Sequence, residues 1–258
     1  MPKLEANLQW MFNEYNVLDR YEQAAKLGFK GVEIQSPYDF KIQQIKERLH
    51  NNNLKQIIIN TNIVDNDTGI SNLILRPDKI DVYKKRFIQS KQYAQELGCI
   101  GVNVGIGVLH DLESKAAYET LKENLYFAAE ELSKEKIYAL IEPINTIDQP
   151  GYFIHKTKQA VEIINQINHK NLALQYDFYH MQIMEGNLAY NVKQNLDYIK
   201  HIQLADNPGR NEPGTGEINY NFLLGFLDDI GYEGWVGCEY KPSSNTKKSL
   251  KWAKPWLS

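Results

Sequence analysis

The stretch DIGYEGWVGCEY, Asp229 to Tyr240, closes one pattern and opens another. A helical run ends at Ile230, Gly231 stands where a left-handed cap is needed, and a short apolar run follows. The same device occurs in KLGFKGVEI (Lys26 to Ile34) and ELGCIGVNV (Glu96 to Val104). Working outward, the chain reads as a repeated pair of elements, a β-rich apolar run and then an amphipathic helical stretch. LEANL (4–8) precedes a helix over 18–27, and GVEI (31–34) precedes one carrying Ile42, Ile45 and Leu49. LKQIIIN (54–60) leads through a loop to a helix over 81–97, and IGVNVG (100–105) to one over 117–132. YALIE (138–142) is followed by a helix over 157–167, and LALQYD (172–177) by a shorter one beginning near 186–188. IKHIQLAD (199–206) precedes a helix over 219–230, and WVGCEY (235–240) precedes the tail. Strands alternating with helices imply parallel pairing through right-handed crossovers. Eight such units fit a single-domain (β/α)8 TIM barrel over 1–258. An open doubly wound sheet is the runner-up, disfavoured because no G-x-G-x-x-G follows the first strand and GVNVGIG (101–107) lacks that spacing.

Composition sets the outer bounds. With 258 residues, 43% of them hydrophobic, the chain can bury the core of one large domain. A formal net charge of −3 gives no electrostatic reason to expect a nucleic-acid partner. The 2 cysteines, Cys99 and Cys238, sit in apolar contexts and are expected as buried thiols in a reducing compartment. The start, MPKLEANLQW, places Glu5 ahead of any apolar stretch, so no secretory signal is visible. No apolar run approaches the roughly 20 residues of a membrane helix. The expectation is a soluble cytoplasmic protein with no membrane partner; the sequence leaves room for a homo-oligomer.

The strand ends carry the chemistry. In a barrel of this kind, polar residues at the C-terminal ends of strands meet at a shared mouth. The tips are Glu142 in LIEPIN, Asp177 in LQYDFYH, Gln203 in HIQLAD and Glu239 in GCEYKP, on neighbouring strands five to eight. Any one of them alone reads as a solvated rim residue; four in succession read as a site. Three carboxylates converging would repel one another, and a divalent cation relieves that repulsion. An all-oxygen set with one neutral amide suits Mg²⁺ or Mn²⁺.

Around the tips, His180 follows Asp177 on the sixth loop, as a substrate contact or a packed helix-start histidine. Arg210, in the Gly/Pro/Asn-rich loop ADNPGRNEPGTGEINY, is a candidate to bind an anionic substrate, with a solvated loop the alternative. Lys241 follows Glu239 by two positions and either binds a substrate carboxylate or pairs with one of the acids. Glu33 ends the second strand as a supporting or substrate contact. His201 shares a strand face with Gln203 and reads equally as supporting or as core. Glu5 and the aromatics Trp10, Phe12 and Tyr15 either wall the mouth or, more simply, pack. No phosphate-binding loop and no nucleophile elbow is present, which leaves metal-assisted proton transfer as the best-supported chemistry.

LIEPIN, QYDFYHMQIMEGNL, HIQLADNPGRNEPGTGEINY, GWVGCEYKP and the opening ANLQWMFNEY together resemble the hydroxypyruvate isomerases, within the xylose isomerase-like TIM barrels. The likeness runs from the N-terminus to about Pro242. It implies interconversion of hydroxypyruvate and tartronate semialdehyde, with Glu142 and Glu239 as proton donor and acceptor. Related barrels hold a divalent metal at positions matching Glu142, Asp177, Gln203 and Glu239, and the third ligand is often His in more distant sugar epimerases. Rival readings are an isomerase of a longer 2-oxo acid such as 2-oxo-tetronate, a metal-dependent DNA-repair endonuclease of the same barrel, and a non-catalytic sugar-acid binding protein.

Overall fold

Every apolar run named above forms a strand, and the amphipathic stretches between them form helices. The structure, a computed structural model, describes residues 1–62 and 71–257. Part of the loop after the third strand therefore lies outside the described residues. In chain order the elements are β1 (Lys3–Asn7), α1 (Val17–Lys26), β2 (Gly31–Ile34), α2 (Ile42–Asn51), β3 (Lys55–Asn60), α3 (Ile80–Leu97), β4 (Gly101–Asn103) and α4 (Ser114–Ser133). Then come β5 (Tyr138–Ile141), α5 (Thr157–Ile167), β6 (Leu172–Asp177), α6 (Phe178–Met184), α7 (Leu188–Gln194), β7 (Ile199–Leu204), α8 (Tyr220–Asp229), β8 (Trp235–Cys238) and α9 (Thr246–Ser249). The strands pair in parallel in sequence order, and β8 pairs with β1 to close the barrel. The capping glycines Gly28, Gly98 and Gly231 all take positive φ, as the repeated device requires.

Alternation along each strand separates two environments. Leu4 and Ala6, Val32 and Ile34, Ile202 and Leu204, and Val236 and Cys238 belong to the main core. The intervening residues face the barrel axis. Inside, a separate small cluster of Ile57, Ile58, Leu140 and Ala173 is apolar. Glu5, Asn7, Glu33, Gln175, Asp177, His201 and Gln203 are also buried, so the rest of the interior is polar. Cys99 and Cys238 are buried free thiols.

One element departs from the sequence reading. Helix α6 begins directly after β6, with the Asp177 carboxylate capping it by accepting from the Tyr179 N–H. Its first four residues, Phe178 to Met181, are all buried, which erases the polar face that a helical period needs. The helix expected near 186–188 is present as α7.

Candidate active site

Glu142 and Glu239 stand one residue beyond β5 and β8, and Asp177 ends β6. One atom from each of Glu142, Asp177, His180 and Glu239 lies within 4.8 Å of the others. Glu142 is 7% exposed, Glu239 3% and Asp177 0%. Carboxyl groups so far from water need donors or a cation.

Among the described residues Glu239 has three side-chain donors. Asn7 Nδ2 reaches its Oε1 at 3.1 Å, Gln35 Nε2 the same oxygen at 2.5 Å, and the Arg210 guanidinium bonds to Oε2. Arg210 also lies 3.7 Å from Asp177 Oδ2, with its guanidinium over the rings of Trp10 at 4.4 Å and Tyr179 at 5.0 Å. Glu142 is held by Asn103, whose Nδ2 donates to Oε2 at 2.6 Å while its own Oδ1 accepts the Gly105 N–H. Burial, then the charges of Glu239 and Asp177, raise Glu142 well above the ordinary carboxylate range, against Arg210 and Asn103. Burial raises Glu239 and Asp177 too, with Arg210 the strongest opposing influence on each.

The loop from β7 to α8 is what delivers Arg210. The buried Asp206 carboxylate accepts four backbone N–H groups, from Asn207, Gly214, Gly216 and Ile218, at 2.7–3.1 Å. The Asn207–Pro208 bond is cis, and Arg210 itself has φ 53°. The Lys241 N–H donates to the Arg210 carbonyl at 2.8 Å and ties this loop to the one after β8. Glu212 adds a second tie through the Ser243 N–H and hydroxyl.

His180 has an assignable tautomer. Asn145 Oδ1 accepts from the Ile147 and Asp148 N–H groups, so its Nδ2 is the atom facing His180 Nδ1 at 2.7 Å. Nδ1 is therefore an acceptor, and neutral His180 carries its proton on Nε2, 3.5 Å from Asp177 Oδ2. Burial, then Arg210, pushes its pKa down to about 3, which keeps the ring neutral. In this form His180 is a hydrogen-bond donor toward the cluster.

Most sequence candidates thus meet at one point: Glu142, Asp177, His180, Arg210 and Glu239. Gln203 is buried beside them; its Oε1 accepts from Gln175 Nε2 at 2.6 Å and retains a second lone pair. Lys241 differs. Strand alternation ends at Cys238, and Lys241 is exposed, joined to the site through its backbone. Of the three aromatics, Trp10 packs on Arg210, Phe12 is buried core and Tyr15 is exposed. Asn7, Gln35, Asn103 and Tyr179 were not singled out from sequence. Asn7 and Asn103 carried a usable signal, being polar residues at inward positions of strand ends.

The donor set accommodates a divalent cation. Among the described residues Asp177 Oδ2 is buried without a hydrogen bond, and carboxylate oxygens of Glu142, Asp177 and Glu239 lie within 4.8 Å of one another.

The family model for the xylose isomerase-like TIM barrel matches residues 21–256. The chain is 42% identical to a hydroxypyruvate isomerase of Escherichia coli (strain K12), over 99% of this chain and 100% of that one. It is 39% identical to a 2-oxo-tetronate isomerase of Pectobacterium atrosepticum, over 100% and 98% of the two chains. A crystal structure of an AP endonuclease, family 2, from Brucella melitensis superposes with a TM-score of 0.96 at 38% identity, covering 99% of each chain.

Proposed function

The chain belongs to the hydroxypyruvate isomerase family of xylose isomerase-like TIM barrels, and on that premise we propose that it interconverts hydroxypyruvate and tartronate semialdehyde. The observation that carries the proposal is the approach of Glu142 and Glu239, from different staves, to within 4.8 Å in a water-poor site.

One carboxylate removes a proton from C3 of hydroxypyruvate. The C–H electron pair becomes the C2–C3 double bond, and the carbonyl pair moves onto O2, giving a cis-enediolate. The C3 hydroxyl proton passes to O2, and return of a proton to C2 completes tartronate semialdehyde. Raised proton affinities suit this exchange, because a carboxyl near its titration range both accepts and returns a proton. In this proposal the Arg210 guanidinium and the Nε2–H of His180 would hold the substrate carboxylate and hydroxyl, and Lys241 at the rim would be a further contact for an incoming anion. Glu142, Asp177, Gln203 and Glu239 would hold Mg²⁺ or Mn²⁺, which supplies polarisation of the substrate carbonyl. In this reading the protein acts in the cytoplasm on a small 2-oxo acid, without a nucleic-acid partner. No helix among the described residues is long and apolar enough to cross a membrane.

A second reading, isomerisation of the longer 2-oxo-tetronate, is favoured by the 39% identical relative of that name. Side-by-side turnover of both substrates, with and without EDTA, separates the two. The proposal expects the higher kcat/KM on hydroxypyruvate and loss of rate in EDTA that Mn²⁺ or Mg²⁺ restores. A higher kcat/KM on 2-oxo-tetronate would replace the proposed substrate, and full activity in EDTA would remove the cation.

A further inference from the structure

Beneath the acid cluster lies a chain of buried amides that the proton transfer itself does not use, and it converges on one oxygen. Glu33, 1% exposed on β2, accepts from Asn7 Nδ2 at 2.7 Å and from Gln203 Nε2 at 2.9 Å, both through Oε1. Each donating amide is fixed at its other end. Asn7 Oδ1 accepts the N–H groups of Gln9 and Trp10 at 2.9 and 3.2 Å, and Gln203 Oε1 accepts from Gln175 Nε2. Asn7 Nδ2 goes on to Glu239 Oε1.

The barrel makes room for this arrangement. A Cβ on Gly237 of β8 would stand 2.8 Å from Glu33 Oε1 and 3.1 Å from Gln203 Cγ, so only glycine lets the carboxyl lie there. The pairing register shifts by one residue between β2 and β3 beside Glu33 and between β6 and β7 at Gln175, the extra residue lying on β3 and on β7, the strand that carries Gln203. Such irregularities re-aim side chains.

Resting on the isomerase reading, we infer that Glu33 is a positioning residue: as a double acceptor it locks the amides of Asn7 and Gln203 and so orients Glu239 and the Gln203 carbonyl. Without that acceptor the Gln203 amide has no partner for its donor, and a buried unsatisfied N–H is costly enough to drive the side chain to another orientation. Asn7 Nδ2 would at the same time lose the shorter of its two acceptors and keep only Glu239 Oε1 at 3.1 Å. The role needs an acceptor oxygen and not a charge. Among the described residues Glu33 Oε2 has no hydrogen bond, its near neighbour being His201 Nε2 at 3.6 Å, so a glutamine amide can put its NH2 on that side and its carbonyl in place of Oε1.

The test compares wild type, Glu33→Met and Glu33→Gln for kcat and KM on hydroxypyruvate, and for Mn²⁺ affinity by isothermal titration. Met fills the space without an acceptor. It should lower kcat about 10- to 100-fold with little change in KM and weaken Mn²⁺ binding by a similar factor, as loss of a supporting partner does. Gln should restore both to within about threefold of wild type. A wild-type kcat in the Met variant, a raised KM at unchanged kcat, or a Gln variant as impaired as Met would each overturn the inference. Should the Met variant fold poorly, Glu33→Leu, which also lacks an acceptor, is read in its place against the same outcomes. A wild-type enzyme inert toward hydroxypyruvate would instead refute the isomerase reading, and the Mn²⁺ affinities would still judge Glu33.

Discussion

The burial of Glu33 should also make stability depend on pH. Burial first, then the Glu5 carboxyl, pushes its pKa up from 4.5 to about 8, while His201 pulls the other way. The groups facing it are Glu5, His201, Glu239 and Gln203. A carboxyl whose folded pKa exceeds its unfolded one keeps its proton better in the folded state. Its contribution is fully present below about pH 4.5 and is lost as pH rises toward 8. His201, lowered by burial, acts in the opposite sense, so only a difference between proteins isolates Glu33. Urea midpoints measured in EDTA between pH 5 and 8.5 should fall more steeply for wild type than for Glu33→Gln. Parallel curves would mean that Glu33 titrates in the ordinary carboxylate range.

At the scale of elements, the β7–α8 loop is a rigid arm built on Asp206. Its carboxylate satisfies four backbone N–H groups and so fixes the stretch that bears Arg210. Asp206→Asn turns an NH2 toward at least one of those donors. It should cost about 1–3 kcal/mol of stability and lower kcat/KM through displaced Arg210. Denaturation and steady-state rates check both; lost stability with unchanged kcat/KM would uncouple the loop from the site. The order of strands and helices was legible because the glycine caps and the two hydrophobic periods are local signals. Helix α6 was not, because Phe178 to Met181 are buried on all sides and leave no amphipathic pattern.

At the scale of the whole molecule, the site exists only because the barrel closes. The acids at the ends of β5, β6 and β8 were readable as strand tips, since a carboxylate ending an apolar run is conspicuous in one dimension. Which residue holds which acid was not, even where a polar strand end such as Asn7 or Asn103 shows in the sequence. Asn7, Gln35 and Asn103 reach Glu239 and Glu142 across staves that are distant in sequence, and only the register of the closed sheet sets those distances. The place of Lys241 was obscured for a related reason, because alternation stops where β8 ends. Closure brings Glu142 and Glu239 to within 4.8 Å of each other, and isosteric neutral replacements at these two positions test the proposed use of that convergence most directly. Hydroxypyruvate turnover by Glu142→Gln and Glu239→Gln, each with a wild-type melting profile or better, should fall by about 10²- to 10⁴-fold. A variant of either kind that isomerises hydroxypyruvate at the wild-type rate would contradict the paired-glutamate mechanism.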